Sequence, residues 1–379
     1  MSKLVIRNCK LFDGEKIQNN KAVLVNGKII ENIIDDNDLP ENCNYYDANN
    51  MIVAPSFIDL QVNGGGGVLF TETPTTESLN TMVKAHEQFG TLNILPTLIS
   101  TDLDTIKKAI DAIKDFGEDS GVLGLHLEGP FIYSPKGGIH SKEYIHSCTL
   151  SEIKSIYENA ENCIKIITYA PEAIDKECLS FIRSKNTYLF VGHSNASYTE
   201  TIKSFENGAC GVTHLYNAMS QLNSREPGIV GASFLSEHTW AGIIADGFHV
   251  DFNSIIIAKK MKGDKLFLVT DAMPPVGVGD LEFSIGQNNI KCIDGKCLSE
   301  SGTIAGSALN MNKALQNIVF KCNINLEEAL KMTSTYQAEM LGISDKYGYI
   351  RKNCYADLVI LDDELKTYGI VRQGKVRVL

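Results

Sequence analysis

The chain is predicted to be an α/β protein: a parallel (β/α)8 TIM barrel combined with a small β-sandwich domain formed from both termini. Three observations predict this. Eight short apolar runs lie in the middle of the 379 residues and alternate with stretches of helical period. Short alternating strands around glycine turns cluster at the two ends and are scarce between them. Most of the apolar runs lead directly into polar or ionisable residues, as at the C-terminal mouth of a barrel.

At the start, residues 4–11 read as a strand, Asp13-Gly14 as a turn and residues 22–34 as a hairpin around Asn26-Gly27. At the end, residues 356–361 read as a strand and 368–378 as a hairpin around Gln373-Gly374. The expected division is therefore 1–53 and 351–379 for the small β domain, with 54–350 as the catalytic barrel. The eight runs fall at 56–62, 92–98, 122–127, 164–169, 188–191, 211–215, 242–245 and 266–270. Between them, residues 102–116 set Leu103, Ile106, Ile110 and Ile113 on one helical face, and Ser197-x-x-Glu200 is a capping box. A doubly wound sheet shares this alternation, and strand count alone does not separate the two.

Composition narrows the function. Hydrophobic residues at 44% and charged residues at 21% are ordinary for a globular protein, so disorder is not expected over most of the length. Lys plus Arg is 35 against 46 Asp plus Glu; a net charge of −11 argues against binding nucleic acid or an anionic membrane. An anionic small substrate needs only a local cationic pocket. No apolar run approaches the length of a membrane span, and the N-terminus carries no signal-peptide core. Ten scattered cysteines without a CxxC pair point to free thiols and a cytoplasmic location. Cys292 and Cys297 are five apart, but no second pair accompanies them, which disfavours structural zinc.

The strand ends carry the chemistry. Run one contains Gln61 and leads to Asn63; run three ends in Glu128, run five in His193 and run six in His214. Asp246 and His249 follow run seven, and Asp271 follows run eight. Polar residues can simply mark where strands become loops. A carboxylate, two histidines and an aspartate on four separate runs fit that explanation poorly, because burying them is costly unless they pair or bind metal. Glu128, His193 and His214 suit one divalent ion, Zn2+ or Fe2+, with a position left open for water. The water's pKa would fall from about 15.7 toward ~7, and Asp271 could take its proton and pass it to a leaving group. His126 shares a strand face with Glu128 and reads more readily as a packed core histidine than as a partner of the site. His86 lies on an apolar helix stripe and reads as buried structure. Residues 64–67 lack the Lys-Ser/Thr of a P-loop and read as a flexible loop beside the site.

Ordered blocks extend this across the chain: His126-Leu127-Glu128-Gly129-Pro130-Phe131, Lys136-Gly137-Gly138-Ile139-His140, Gly192-His193-Ser194-Asn195-Ala196, Thr213-His214-Leu215-Tyr216-Asn217-Ala218-Met219, Arg225-Glu226-Pro227-Gly228, Asp246-Gly247-Phe248-His249, Thr270-Asp271-Ala272 and Gly302-Thr303-Ile304-Ala305-Gly306-Ser307. On these the sequence resembles the N-acetylglucosamine-6-phosphate deacetylase family of the amidohydrolase superfamily. The resemblance implies a barrel with a small β domain and hydrolysis of a sugar acetamide. It implies Glu128, His193 and His214 as metal ligands, Asp271 as base and then acid, and His140 as a sugar contact that polarises the amide. It assigns Asn217, Ala218, Arg225 and His249 to the sugar phosphate, and Ile139, Ile304, Ala305 and Gly306 to the sugar site. Arg225 would reach in from the neighbouring subunit of a homodimer; the alternative for Arg225 is a surface salt bridge with Glu226. Many amidohydrolases carry His-x-His at the end of the first strand for a second metal. Here Gln61 and Asn63 stand there, so one divalent ion per subunit is expected, with Gln61 positioning water or supporting a ligand. Another amidohydrolase activity, on a cyclic amide, an N-acyl amino acid or an aminopurine, and an inactive barrel scaffold are the competing expectations.

Overall fold

The computed structural model describes residues 3–117 and 120–379, so the first two residues of the expected 1–53 segment lie outside the described residues. The chain divides into two compact units. One comprises the segment ending at Asp59, with His86–Asn93 and Met311–Leu379; the other comprises Leu60–Ala85 and Ile94–Asn310.

In the first unit both termini build one sheet. Its strands run in the order Lys375–Val378, Thr367–Arg372, Leu358–Leu361, Ile52–Pro55, Leu4–Phe12, Ile17–Asn26 and Ile29–Asp35, and Asn44–Asp47 also pairs with Leu4–Phe12. The two ends of the chain meet where Ile52–Pro55 lies antiparallel to Leu358–Leu361. Alternation makes this possible: Ile6, Val23, Val25 and Ile30 from the front pack with Leu358, Ile360 and Val371 from the end in one buried cluster.

The eight apolar runs become the parallel strands Phe57–Val62, Thr91–Leu98, Leu125–Glu128, Ile164–Tyr169, Tyr188–Val191, Ala209–Val212, Trp240–Ile244 and Leu266–Val269, hydrogen-bonded in sequence order. Most are buried on both faces, which is why they read as continuous apolar stretches rather than alternating ones. Past the eighth strand, Ala272 bridges in parallel to Val62 of the first. Asp271 N donates to Gln61 O at 3.0 Å and Asn63 N to Ala272 O at 2.9 Å. This closure decides for a barrel over a doubly wound sheet. The helices follow their sequence signals. Asp102 caps Leu103–Phe116 by accepting from Thr105 N, and both halves of the Ser197–Glu200 capping box are present. Among the described residues no helix is long and apolar enough to cross a membrane.

Three features depart from expectation. A four-stranded antiparallel sheet (Leu281–Ile285, Asn288–Ile293, Lys296–Ser299 and Ile304–Ser307) follows the barrel and has no counterpart among the elements expected from sequence. Its signal was the Asp294-Gly295 turn between alternating segments. On that hairpin Cys292 and Cys297 are directly opposite, with Cα atoms 4.0 Å apart, and form a disulfide. The expectation that all ten cysteines are free is corrected: a tight turn makes residues five apart cross-strand neighbours on one face. None of the other eight is in a disulfide. Finally, residues 64–67 are not a loose loop. Gly64–Gly65 pairs with Val68–Leu69, and Gly64 N and Gly66 N donate to Ala272 O and Val276 O. A side chain at Gly64 would run into the Val68 carbonyl, so this close approach requires glycine.

Candidate active site

Glu128 ends the third barrel strand. His193, His214 and Asp271 each stand two residues beyond the fifth, sixth and eighth strands. All three of these have positive φ, at 47°, 31° and 52°. Such backbone costs about 1–3 kcal/mol per residue and persists only where the surroundings hold it. Here it belongs to the turn that each strand makes as it reaches the barrel mouth.

Glu128, His193 and His214 converge. Glu128 Oε1 lies 3.2 Å from His193 Nε2 and 3.0 Å from His214 Nε2, and the two nitrogens are 3.0 Å apart. All three residues are buried. His193 Nδ1 is 2.9 Å from the Lys136 carbonyl, which can only accept, so Nδ1 carries a proton and Nε2 is the ring atom that faces the cluster. Burial would raise the Glu128 carboxyl, but the hydrogen bonds of His193 and His214 outweigh it and hold the group well below the carboxylate range. His214 is raised: burial opposes its charge, and the Glu128 bond and charge prevail. A buried anion faced by two imidazole Nε2 atoms draws positive charge, which imidazole protons supply here and a metal ion would supply in their place. This donor set fits one divalent metal ion.

His140 also brings a nitrogen within 4.8 Å of the ligand atoms of Glu128 and His193. Its protonation gives it a different character. The Ser100 backbone N–H donates to His140 Nδ1 at 3.1 Å, with the Ser100 hydroxyl at 2.8 Å from the same atom. Nδ1 is therefore unprotonated and Nε2 carries the hydrogen. Burial keeps the ring neutral, with its pKa pushed down to about 3. His140 is thus a neutral donor beside the cluster.

Asp271 is held by amides. Asn63 Nδ2 donates to its Oδ1 at 2.6 Å and Gln61 Nε2 donates to the same oxygen at 3.2 Å. Gln61 Nε2 also lies 3.0 Å from Glu128 Oε1. Burial, and then the charge of Glu128, raise Asp271 to about 6, against the pull of His214, His249 and Asn63.

These groups line a cavity of about 400 Å³, at the small end of small-molecule sites. Its wall takes Ile139 and His140 from beyond the third strand, Asn217 and Ala218 from beyond the sixth, and His249 from beyond the seventh. Ile304 and Gly306 of the antiparallel sheet complete that wall, while Ala305 is buried in the cluster behind it with Met273, Cys292 and Cys297. His249 Nδ1 is 2.6 Å from Asp246 Oδ2, which orients the ring. Gln61 sits behind the carboxylates rather than on the wall. Arg225 is exposed and is not among the residues lining the cavity. Its neighbour Glu226 accepts from Tyr198 N at 2.7 Å and Gly228 N at 3.0 Å, and no ion pair joins it to Arg225 among the described residues.

His126 is buried with both ring nitrogens engaged, Nδ1 with Leu60 O at 2.9 Å and Nε2 with Thr168 Oγ1 at 2.8 Å. His86 is fully buried on the helix Thr76–Glu87, as its stripe predicts. Sequence reasoning treats Asn63 only as a missing ligand and gives Lys136 no role. Asn63 was findable: it lies two residues from Gln61, on the same strand face.

A parallel barrel carrying this carboxylate, imidazole and aspartate set at its C-terminal mouth defines a metal-dependent hydrolase of the barrel class. The family model described as Amidohydrolase family matches residues 52–377, and the chain belongs to that family. It is 38% identical over 330 residues to an N-acetylgalactosamine-6-phosphate deacetylase from a Shewanella species, covering 84% of this chain and 82% of that protein. It is 34% identical over 378 residues to the N-acetylglucosamine-6-phosphate deacetylase of Haemophilus influenzae, covering 98% and 99%. The crystal structure of N-acetylglucosamine-6-phosphate deacetylase from Pasteurella multocida matches with a TM-score of 0.96 at 33% identity, over 100% of both chains.

Proposed function

We propose that this protein hydrolyses the acetamide of N-acetyl-D-glucosamine 6-phosphate to D-glucosamine 6-phosphate and acetate. The observation that carries the reading is the Glu128–His193–His214 cluster sharing one monosaccharide-sized cavity with Asp271. Glu128, His193 and His214 would hold one divalent ion, which would supply Lewis acidity to the site. Asp271, with Oδ1 occupied by Asn63 and Gln61, has Oδ2 left to take the proton of the attacking water and return it to the departing amine. His140 donates its Nε2 hydrogen to the amide oxygen, favouring the charge that develops there. Ile139, Ile304, Ala305 and Gly306 shape the sugar site.

Asn217, Ala218, His249 and Arg225 hold the phosphate, with Arg225 delivered by the second subunit of a homodimer. Its exposure outside its own cavity supports that arrangement. Neither nucleic acid nor membrane takes part, and a cytoplasmic site of action belongs to the same reading, supported by the eight of ten cysteines that form no disulfide.

The identity to the Shewanella protein favours a second reading, N-acetylgalactosamine 6-phosphate as substrate. The two sugars differ only in the configuration at C4, so the acetamide and phosphate chemistry is common to both. Acetate release from the two phosphosugars and their unphosphorylated forms, with chelator treatment and metal add-back, tests both. The expected result is metal-dependent release from a 6-phosphate with a strong preference over the free sugar. Release from neither phosphosugar would end the proposal.

A further inference from the structure

Lys136 ends the short turn Ser134–Lys136 after the third barrel strand. It is half-buried, and it lines the cavity. Among the described lining residues it is the one lysine, and none is an arginine. His249, another basic group of the wall, already has Nδ1 engaged by Asp246. The Lys136 ammonium has no carboxylate partner among the described residues; its hydrogen bond goes to the Met219 carbonyl at 3.3 Å, a long contact with a neutral group. Met219 directly follows Asn217 and Ala218, which line the same cavity. On a chain of net charge −11, an ammonium kept inside a cleft without an anion is a site waiting for one.

We propose that Lys136 is a substrate-binding residue whose ammonium engages the phosphate monoester and confers the preference for phosphorylated sugar. The inference rests on the phosphosugar reading and adds a cation from the subunit's own cavity to it. The main chain of the same residue acts elsewhere, since its carbonyl fixes the proton of His193. Side-chain substitution leaves that contact chemically available.

The test compares kcat/KM for N-acetylglucosamine 6-phosphate and for N-acetylglucosamine in wild type, Lys136→Met and Lys136→Arg, with inorganic phosphate as a competitive inhibitor. The ratio of the two kcat/KM values is read on one preparation, so differences in metal loading cancel. Lys136→Met is expected to lower the ratio about 10- to 100-fold and to weaken phosphate inhibition in parallel, while Lys136→Arg keeps most of both. A wild type without preference for the phosphorylated sugar overturns the phosphosugar reading and this inference with it. A wild type with the preference, and a Lys136→Met variant that keeps it while losing thermal stability, overturns this inference alone and leaves Lys136 as a tether of the Met219 turn.

Discussion

The side-chain amide of Asn63 lies 2.6 Å from Oδ1 of Asp271, across 208 residues of sequence. An N–H donated to a carboxylate favours the ionised form, so Asn63 holds down a group that burial and Glu128 push up to about 6. A general base must be deprotonated. The expected profile of kcat/KM falls toward tenfold per unit as pH drops below about 6. Asn63→Leu removes the donor and moves this limb to higher pH. A limb that stays in place in the variant would show that Asn63 does not act through Asp271.

Asp271→Asn keeps the shape of the side chain and removes its basicity. The expected loss in kcat is about 10²- to 10⁴-fold, with metal content and Tm close to wild type. Acetate release, elemental analysis and thermal melts check the three quantities. An Asp271→Asn variant that retains wild-type turnover would return the protein to the scaffold reading.

Gln61 turns its NH2 group toward both Glu128 and Asp271, so it presents donors to the site where a second metal would need acceptors. One tightly held divalent ion per subunit is the expected stoichiometry. Chelation should abolish acetate release, and Glu128→Gln should lose the metal, since it removes the one anionic ligand. Two tightly bound ions per subunit would overturn the mononuclear site.

Arg225 stands exposed, outside the cavity of its own chain. Arg225→Ala is expected to raise KM for the phosphosugar far more than for the free sugar. Mixing Arg225→Ala with Asp271→Asn subunits should restore phosphosugar turnover above either variant alone, because a mixed dimer regains one complete site. No recovery after verified subunit exchange would remove the cross-subunit role.

Burial pushes His126 down to about 4 from the usual 6.5, so the folded chain keeps it neutral where the unfolded chain protonates it. Its contribution is present above pH 6.5 and is lost as pH falls toward 4, amounting to roughly 3 kcal/mol over that window. Urea unfolding at pH 7 and pH 4.5 should show the stability of wild type falling more steeply than that of His126→Gln. Equal falls in both would show that His126 is not held neutral by the fold.

The periodicity and chemistry of local segments were enough to read the eight barrel strands, the capping box at Ser197, the two-ended sheet and the residues at the strand ends, because burial on one or both faces writes itself directly into residue order. The meeting of Glu128, His193 and His214 was legible for the same reason: each stands at or just beyond the end of an apolar run. The antiparallel sheet over 281–307 was missed because its short strands are half exposed and carry little apolar contrast. What tertiary structure alone decided was who meets whom. Barrel closure through Val62 and Ala272, the Asn63–Asp271 bond, the protonated nitrogens of His193 and His140, the Cys292–Cys297 pair and the Lys136 ammonium at Met219 are all relations between specific atoms. Hydrophobic burial is non-directional and tolerates many neighbours, so a sequence pattern announces it; a hydrogen bond requires one partner at one distance and angle, which exists only after strand register and closure have set both ends.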